Sequence, residues 1–467
     1  MIPTESILNT AKYLRNIRPV DPDEMQEYVD GNPHPGVIRQ TLRDHAVDLA
    51  LREREDGLFV PVEDGPIEAI ADRPTELPLK YVYRLEELLI TEYGVDWAQG
   101  ESGDQLRRTI RALKDAYYRQ EAVEYNYTAA LAYAIYHLPD YYAVTYDLLR
   151  ELVDNRLLDR TLRILDVGAG VGGPAIGFSE ILPDDVVIDY TAVEPSEATT
   201  VLEEMLAETH QNFHSTVQHQ TAEELTLESE YDLVLFSNVL SELDDPHTTV
   251  KRYLDALATD GTMVLTAPAD KNTSQTLRSV EQSVANGEIT VFSPTVRLWP
   301  DESPSDDCWS FKELPEIAAP SVQEALEQHA HDEEHSPGEF LNTTVKYSYA
   351  LLRKDGKTRL PTDPDPSEWI KFRNSERHVG NRVNCLAVKL SNNLSEGGNP
   401  LFRIGDGSQQ ADHFAVVPKQ TQLNRDLIEA SYASLLMIES GLVLWNDDEK
   451  AYNIIIDGES VVDRMAV

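Results

Sequence analysis

Apolar positions change rhythm along the chain. Over ESILNTAKYLRNI (5–17) and HPGVIRQTLRDHAVDLALRERED (34–56) they recur at spacings of three and four, which predicts helices. DPDEMQEYV between them opens with Asp21, a good helix cap, and GLFVPVED (57–64) alternates like a strand. Three helices and a strand over residues 1–75 fit a winged-helix-like module, and equally a helical cap on the domain that follows. Residues 76–158 keep the helical spacing and are rich in tyrosine.

From residue 159 strands and helices alternate: LRILDVGAG, GGPAIGFSEIL, VVIDYTAVEP, TTVLEEMLAETH, STVQHQTAEEL. YDLVLFSNVLSEL then predicts a strand running into a helix, and TVKYSYALLRKDG (344–356) a late strand. Repeated units of this kind predict an α/β domain over 159–359 with a mostly parallel, doubly wound, Rossmann-like sheet. Residues 293–343, rich in Pro, Asp and Glu, read as an insertion. After the proline-rich linker LPTDPDPSEW, residues 360–467 predict strands with one helix, QLNRDLIEASYASL, between the third and the fourth. That order suits an OB-like β-barrel, a frequent nucleic-acid binder, or another small barrel.

Composition changes this picture in one respect. Of 467 residues, 82 are Asp or Glu and 40 Lys or Arg, a net charge of −42 spread along the chain. A basic partner is one reading. The other is a halophilic surface, because at molar salt the Debye length falls to about 3 Å and carboxylates keep the surface hydrated. The start, MIPTESILNTAKYLRNIRP, lacks the plan of a secretion signal, and no apolar run reaches the ~18 residues of a membrane span, so a cytoplasmic location without membrane contact is expected. Only Cys308 and Cys385 are cysteines, which excludes a disulfide framework.

The candidate chemistry lies in RILDVGAGVGG. Gly168, Gly170 and Gly172 follow a strand and open a helix, so the backbone can turn tightly and approach a ligand. Pro174 and Ala175 stand where a phosphate loop would carry Lys-Ser/Thr, which argues against an NTPase. On glycines alone a dinucleotide site stays open. Asp166 before the glycines can hold a cationic amino-acid end, Glu194 at the end of the second strand can accept ribose hydroxyls, and Ser237 and Asn238 end a later strand. Together these features resemble the class I S-adenosylmethionine-dependent methyltransferases.

The order of motifs is narrower. YTAALAYAIYHLPDYYAVTYDLLREL precedes the glycine strand; YDLVLFSNVLSEL, CWSF, VKYSYALLR, W-x-K-F-R and HVGNRVNCLAVKL follow it. Over roughly residues 125–390 this resembles the methyltransferase-like proteins of the small ribosomal subunit known from mitochondria and bacteria. The resemblance implies S-adenosylmethionine as cofactor, with Asp166, Gly168, Gly170, Gly172 and Glu194 lining its site and Ser237 and Asn238 near adenosine and methyl. It implies small-subunit rRNA as partner, an assembly role with rRNA methylation, a ribosome-associated location, and no DNA. Relatives often carry four cysteines for an iron–sulfur cluster. Cys308 and Cys385 match two of the places, while the others fall near Thr295 and Trp299, so no such cluster is expected.

No catalytic residue is legible. SNVLSEL replaces the Asn/Asp-Pro-Pro-Tyr/Phe of base N-methyltransferases, no cysteine nucleophile is present there, and Thr221 stands where an acid near adenine is common. His247, and His331 and His335 in HAHDEEH, read as solvated loop residues, and no metal site is expected. Arg107, Arg108, Arg111, Lys114 and Arg119 gather charge on one helix; Lys371, Arg373, Arg377 and Arg382 cluster at the barrel entry. Arg107, Arg108, Arg111 and those last four are the RNA-contact candidates, against the bland reading of solvated faces. A small-molecule or protein methyltransferase and a non-catalytic RNA-binding scaffold are the alternatives.

Overall fold

The computed structural model describes residues 4–465 apart from 122, 228, 286, 295, 296, 300, 301, 306–308, 334 and 361. The chain forms two compact units. The first comprises Met1–Ser237, Asp255–Gly261 and Pro315–Val345; the second comprises Asn238–Leu254, Thr262–Leu314 and Lys346–Val467.

The first unit begins with α1 (Thr4–Leu14), α2 (Pro22–Met25), α3 (Pro35–Asp44), α4 (Ala46–Leu49) and a hairpin of β1 (Leu51–Glu53) and β2 (Phe59–Pro61). Ile7, Ile38, Leu42, Leu51 and Phe59 share its core. Helices followed by a hairpin suit either reading of this region, a winged-helix-like module or a helical cap. The helix expected over 34–56 ends at Asp44, however, and after the single turn of α4 Ala50 takes a left-handed backbone (φ 43°) and the chain turns into β1. The Asp21-capped helix is likewise one turn long.

Then come α5 (Leu79–Tyr93), α6 (Gly100–Arg119) and α7 (Tyr127–Asp154). Asn126 caps α7 by accepting the Ala129 N–H at 3.0 Å. Apolar residues lie all round α7, and it is buried on nearly every face. Next are β3 (Thr161–Val167), α8 (Gly173–Ile181), β4 (Val187–Val193), α9 (Ala198–Leu206), β5 (Phe213–Gln218) and β6 (Tyr231–Ser237). Strands β5, β4, β3 and β6 pair in parallel in that order, and the start of β7 (Leu257–Pro268) borders β6. Near-continuous burial of β3 and β4 reflects helices on both sheet faces.

In the second unit, α10 (Pro246–Leu254) starts later than expected: SNVLSEL forms turns, not a helix. The rest of β7 follows, then α11 (Lys271–Val284), β8 (Thr290–Ser293) and β9 (Lys312–Leu314). The stretch 293–343 is not one insertion, since its later part, with α12 (Ser321–Gln328), belongs to the first unit. Strand β10 (Val345–Arg353) pairs antiparallel with both β7 and β8. The sheet therefore runs β5-β4-β3-β6-β7 in the first unit and β7-β10-β8 in the second, the class I methyltransferase order.

The remaining chain forms β11 (Arg382–Lys389), β12 (Leu401–Gly405), β13 (His413–Val416), α13 (Arg425–Glu429), β14 (Leu435–Asn446), β15 (Ala451–Ile455) and β16 (Val461–Arg464). Pairing β11-β12-β13-β15-β14 closes back on β11, with β13 parallel to β15 and the helix between the third and fourth strands. This is the OB-like order. Ala387, Phe402, Ile404, Leu436 and Ile454 fill its interior. Among the described residues, no helix is long and apolar enough to cross a membrane.

Candidate functional site

The glycine loop joins β3 to α8 in the first unit. Gly168, Gly170 and Gly172 have φ of 72°, 54° and 91°, a left-handed backbone that favours glycine. Gly168 and Ala169 donate their N–H groups to the Val193 carbonyl at 2.8 and 3.1 Å, which ties the loop to the end of β4. A side chain on Gly170 would point into open space, so the loop presents bare backbone there.

Glu194 follows directly and is buried. One carboxylate oxygen accepts the Gly170 N–H at 2.9 Å and the other the Ser196 N–H at 3.0 Å. Each oxygen keeps a lone pair for a further donor. Asp166 is wholly buried. Its Oδ2 accepts the Tyr190 hydroxyl at 2.5 Å, while its Oδ1 is buried without a protein partner. Burial pushes the carboxyl up to about 7, the Tyr190 hydrogen bond pulls it down, and Glu194 raises it further.

The structure thus brings Asp166, the three glycines and Glu194 together. An orphaned carboxylate oxygen suits an ammonium group, bare loop backbone suits close approach, and a pinned carboxylate suits a diol. These residues fit S-adenosylmethionine. Ser237 ends β6, half-buried, next to the strand that carries Asp166. Asn238 opens the second unit with a left-handed backbone (φ 61°), donates its N–H to the Thr266 carbonyl at 3.1 Å, and keeps a buried Oδ1 without a partner. Thr221 exchanges hydrogen bonds with Glu224 within its own turn.

One set of residues has no counterpart among the sequence-derived candidates. On α7, Tyr133, His137 and Tyr141 stand four residues apart and so share a face. The Tyr133 and Tyr141 hydroxyls are 2.5 Å apart, and His137 stacks on Tyr141 with centroids 5.5 Å apart. Tyr125 meets Tyr133 edge to face at 5.5 Å. Tyr141 on this face abuts the end of the glycine loop, and the segment just before α7 holds the loop after Glu194. A Cβ on Gly173 would lie 2.6 Å from that of Tyr141, and the Tyr125 carbonyl accepts the Glu197 N–H at 3.2 Å.

Pro139 interrupts the same helix. Lacking an N–H, it leaves the Ile135 carbonyl without its helical partner. Gln323 donates to that carbonyl at 2.8 Å, and Asn342 donates to the Tyr136 carbonyl at 3.0 Å. Asn342 also donates to Asp140 at 3.1 Å.

The expected RNA contacts fare unevenly. Arg107 is buried, a correction to its reading as a surface cation; it donates to the Ala98 and Leu326 carbonyls and pairs with Asp104. Arg111 is held by Glu339 and Asp332. Lys371 and Arg373 share Glu302, and Arg382 pairs with Asp457 and Glu459. Arg108 and Arg377 are exposed, with no ion pair among the described residues.

His335 binds Glu327 at 3.0 Å and stacks on Phe340, and His247 meets Ser283 at 3.0 Å. Cys308 and Thr295 lie outside the described residues. At Trp299 the indole N–H donates to Asp406 at 2.8 Å, and Cys385 is buried in the barrel with its thiol pushed up by burial. An indole packed in that way does not fit a cluster-binding position.

Residues 137–309 match a family model described as a methyltransferase domain. Residues 4–55 and 373–465 match models described as the N-terminal and C-terminal domains of a domain of unknown function, DUF8157. No curated protein matches the chain. Among solved structures, the YcgJ protein of Bacillus subtilis is 15% identical over 46% of this chain and 99% of its own, with a TM-score of 0.27. An S-adenosylmethionine-dependent methyltransferase from Leishmania major is 14% identical over 45% and 73%, with a TM-score of 0.27. The plantazolicin methyltransferase BpumL, solved with S-adenosylhomocysteine, is 11% identical over 59% and 99%, with a TM-score of 0.30. The chain carries an S-adenosylmethionine-dependent methyltransferase domain, and S-adenosylmethionine is its cofactor.

Proposed function

We propose that this protein methylates RNA of the small ribosomal subunit and serves there as an assembly factor. The observation that carries the enzymatic half is the pairing of the orphaned Asp166 carboxylate oxygen with the pinned Glu194 carboxylate, flanking a bare glycine backbone. Bound S-adenosylmethionine supplies a methyl group activated on a sulfonium. Asp166 holds its ammonium, Glu194 its ribose hydroxyls, and the tyrosine face of α7, with Tyr141 against the glycine loop, is where an acceptor is oriented and water excluded.

The ribosomal half rests on the order of motifs around the glycine loop and on a barrel of OB-like order. The excess of 42 negative charges supports a halophilic cytoplasm as its setting. Crosslinking in cells, with rRNA modification mapped in a deletion strain, tests this reading. Enrichment of small-subunit RNA and a lost methylation are expected; no enrichment ends it.

A second reading, a small-molecule or protein acceptor, is favoured by the acidic partners of Arg111, Lys371, Arg373 and Arg382. Methyl label appearing in metabolites or protein, and not in rRNA, would select it.

A further inference from the structure

We infer that His137 is the proton acceptor for the group that receives the methyl, with Asp140 as its positioning residue. The inference rests on the cofactor reading above and supplies the base that the sequence does not reveal.

His137 lies between the two ligand loops. One turn toward the C-terminus, Tyr141 abuts Gly173 at the end of the glycine loop. One turn toward the N-terminus, Tyr133 meets Tyr125, whose carbonyl holds the loop after Glu194. His137 therefore stands on α7 between Tyr141, which abuts the glycine loop, and Tyr133, which meets the Tyr125 that binds the loop after Glu194.

Its orientation is set. Nδ1 is 3.3 Å from Asp140 Oδ2. Asp140 is itself fixed, because its Oδ1 accepts the Tyr141 N–H at 3.0 Å and its Oδ2 accepts the Asn342 amide at 3.1 Å. A carboxylate on Nδ1 keeps the proton there in the neutral ring, which leaves Nε2 bare and able to accept a proton. The ring is walled by Tyr133, Tyr136 and Tyr141 at 4.8, 5.0 and 5.5 Å, yet its side chain keeps 29% exposure. A histidine that served only to pack the helix would not need both a fixed carboxylate and a partly exposed ring.

The step assigned to His137 is proton transfer. An acceptor N–H or O–H would give its proton to Nε2 as its nitrogen or oxygen bonds the methyl group, and the sulfonium–methyl bond would break with its electron pair returning to sulfur, which leaves S-adenosylhomocysteine. The imidazolium, paired with Asp140, then releases the proton to solvent.

Full-length protein labelled with 15N-histidine tests the orientation, with His137→Gln assigning the signal. The expected spectrum has Nδ1 protonated and Nε2 bare, and Asp140→Asn removes that preference. Carbethoxylation by diethyl pyrocarbonate, read on the His137 peptide by mass spectrometry, tests the placement. With S-adenosylhomocysteine at about ten times its Kd or more, about nine-tenths of the sites are occupied and the reaction is expected to slow about tenfold. Calorimetry on the same sample reports whether S-adenosylhomocysteine binds. A protonated Nε2, or unprotected His137 in a sample that binds S-adenosylhomocysteine, overturns this assignment alone. No binding overturns the cofactor reading and this assignment with it.

Discussion

Glu194 holds the glycine loop in place: its carboxylate takes the Gly170 N–H on one oxygen at 2.9 Å and the Ser196 N–H on the other at 3.0 Å. The acid that would bind ribose also sets the curvature of the loop that faces it. Glu194→Gln replaces one acceptor oxygen with a donor, which then faces an N–H. Losing a charge-assisted hydrogen bond costs about 1.5–3 kcal/mol, so S-adenosylhomocysteine affinity should fall about 10- to 100-fold by calorimetry. An unchanged affinity would remove Glu194 from the site.

Asp166 makes binding depend on pH. In the free protein burial holds its carboxyl up at about 7, well above the ordinary 3.8. A raised carboxyl contributes stability that is fully present below about 4 and lost as pH rises through about 7. An ammonium ligand needs the ionised form, so affinity should rise with pH up to about 7, by at most about tenfold per unit, and then level off. Binding at pH 6 should release a proton, visible as a heat that depends on the buffer. Asp166→Asn should bind weakly and flatten both effects; a pH-independent wild type contradicts the assignment.

Gly173 and Gly177 let α8 close against α7. An added Cβ would come within 2.6 Å of Tyr141 Cβ at the first and 2.4 Å of Thr145 Cγ2 at the second. Gly177→Ala should therefore cost about 1–3 kcal/mol of stability, measured by denaturant titration. Gly170→Ala should behave differently. Its Cβ meets nothing, so only the left-handed backbone penalty of about 1 kcal/mol applies, while cofactor affinity falls because the methyl occupies ligand space. Equal stability losses in the two variants would contradict this division.

The sheet and the glycine site were legible because each rests on local pattern: apolar strands, glycines at a turn, and acids at strand ends. His137 and Asp140 were not. A tyrosine-rich helix with residues four apart looks the same whether its face is core or cleft, and the side chains that fix this turn, Gln323 and Asn342, come from far along the chain. The basic clusters misled for a related reason. Glu302 is remote in sequence from Lys371 and Arg373 but bonded to both, so charge counted along the chain overstates charge available at the surface.

That difference sorts the basic residues into two experimental classes. Arg107 is buried and serves the Ala98 and Leu326 carbonyls, so Arg107→Ala should lower stability by about 1–3 kcal/mol through unpaired buried groups, without a direct effect on RNA. Arg108 and Arg377 are exposed, and among the described residues neither has an ion pair. If RNA binds, these two have the least to give up. Arg108→Gln and Arg377→Gln should each leave the melting temperature in place, weaken binding of a small-subunit rRNA fragment, and reduce the slope of log affinity against log salt by about one. Arg373→Gln should change that slope less, because Glu302 already neutralises it. A larger effect at Arg373 than at Arg377 would mean that RNA displaces Glu302 from Arg373.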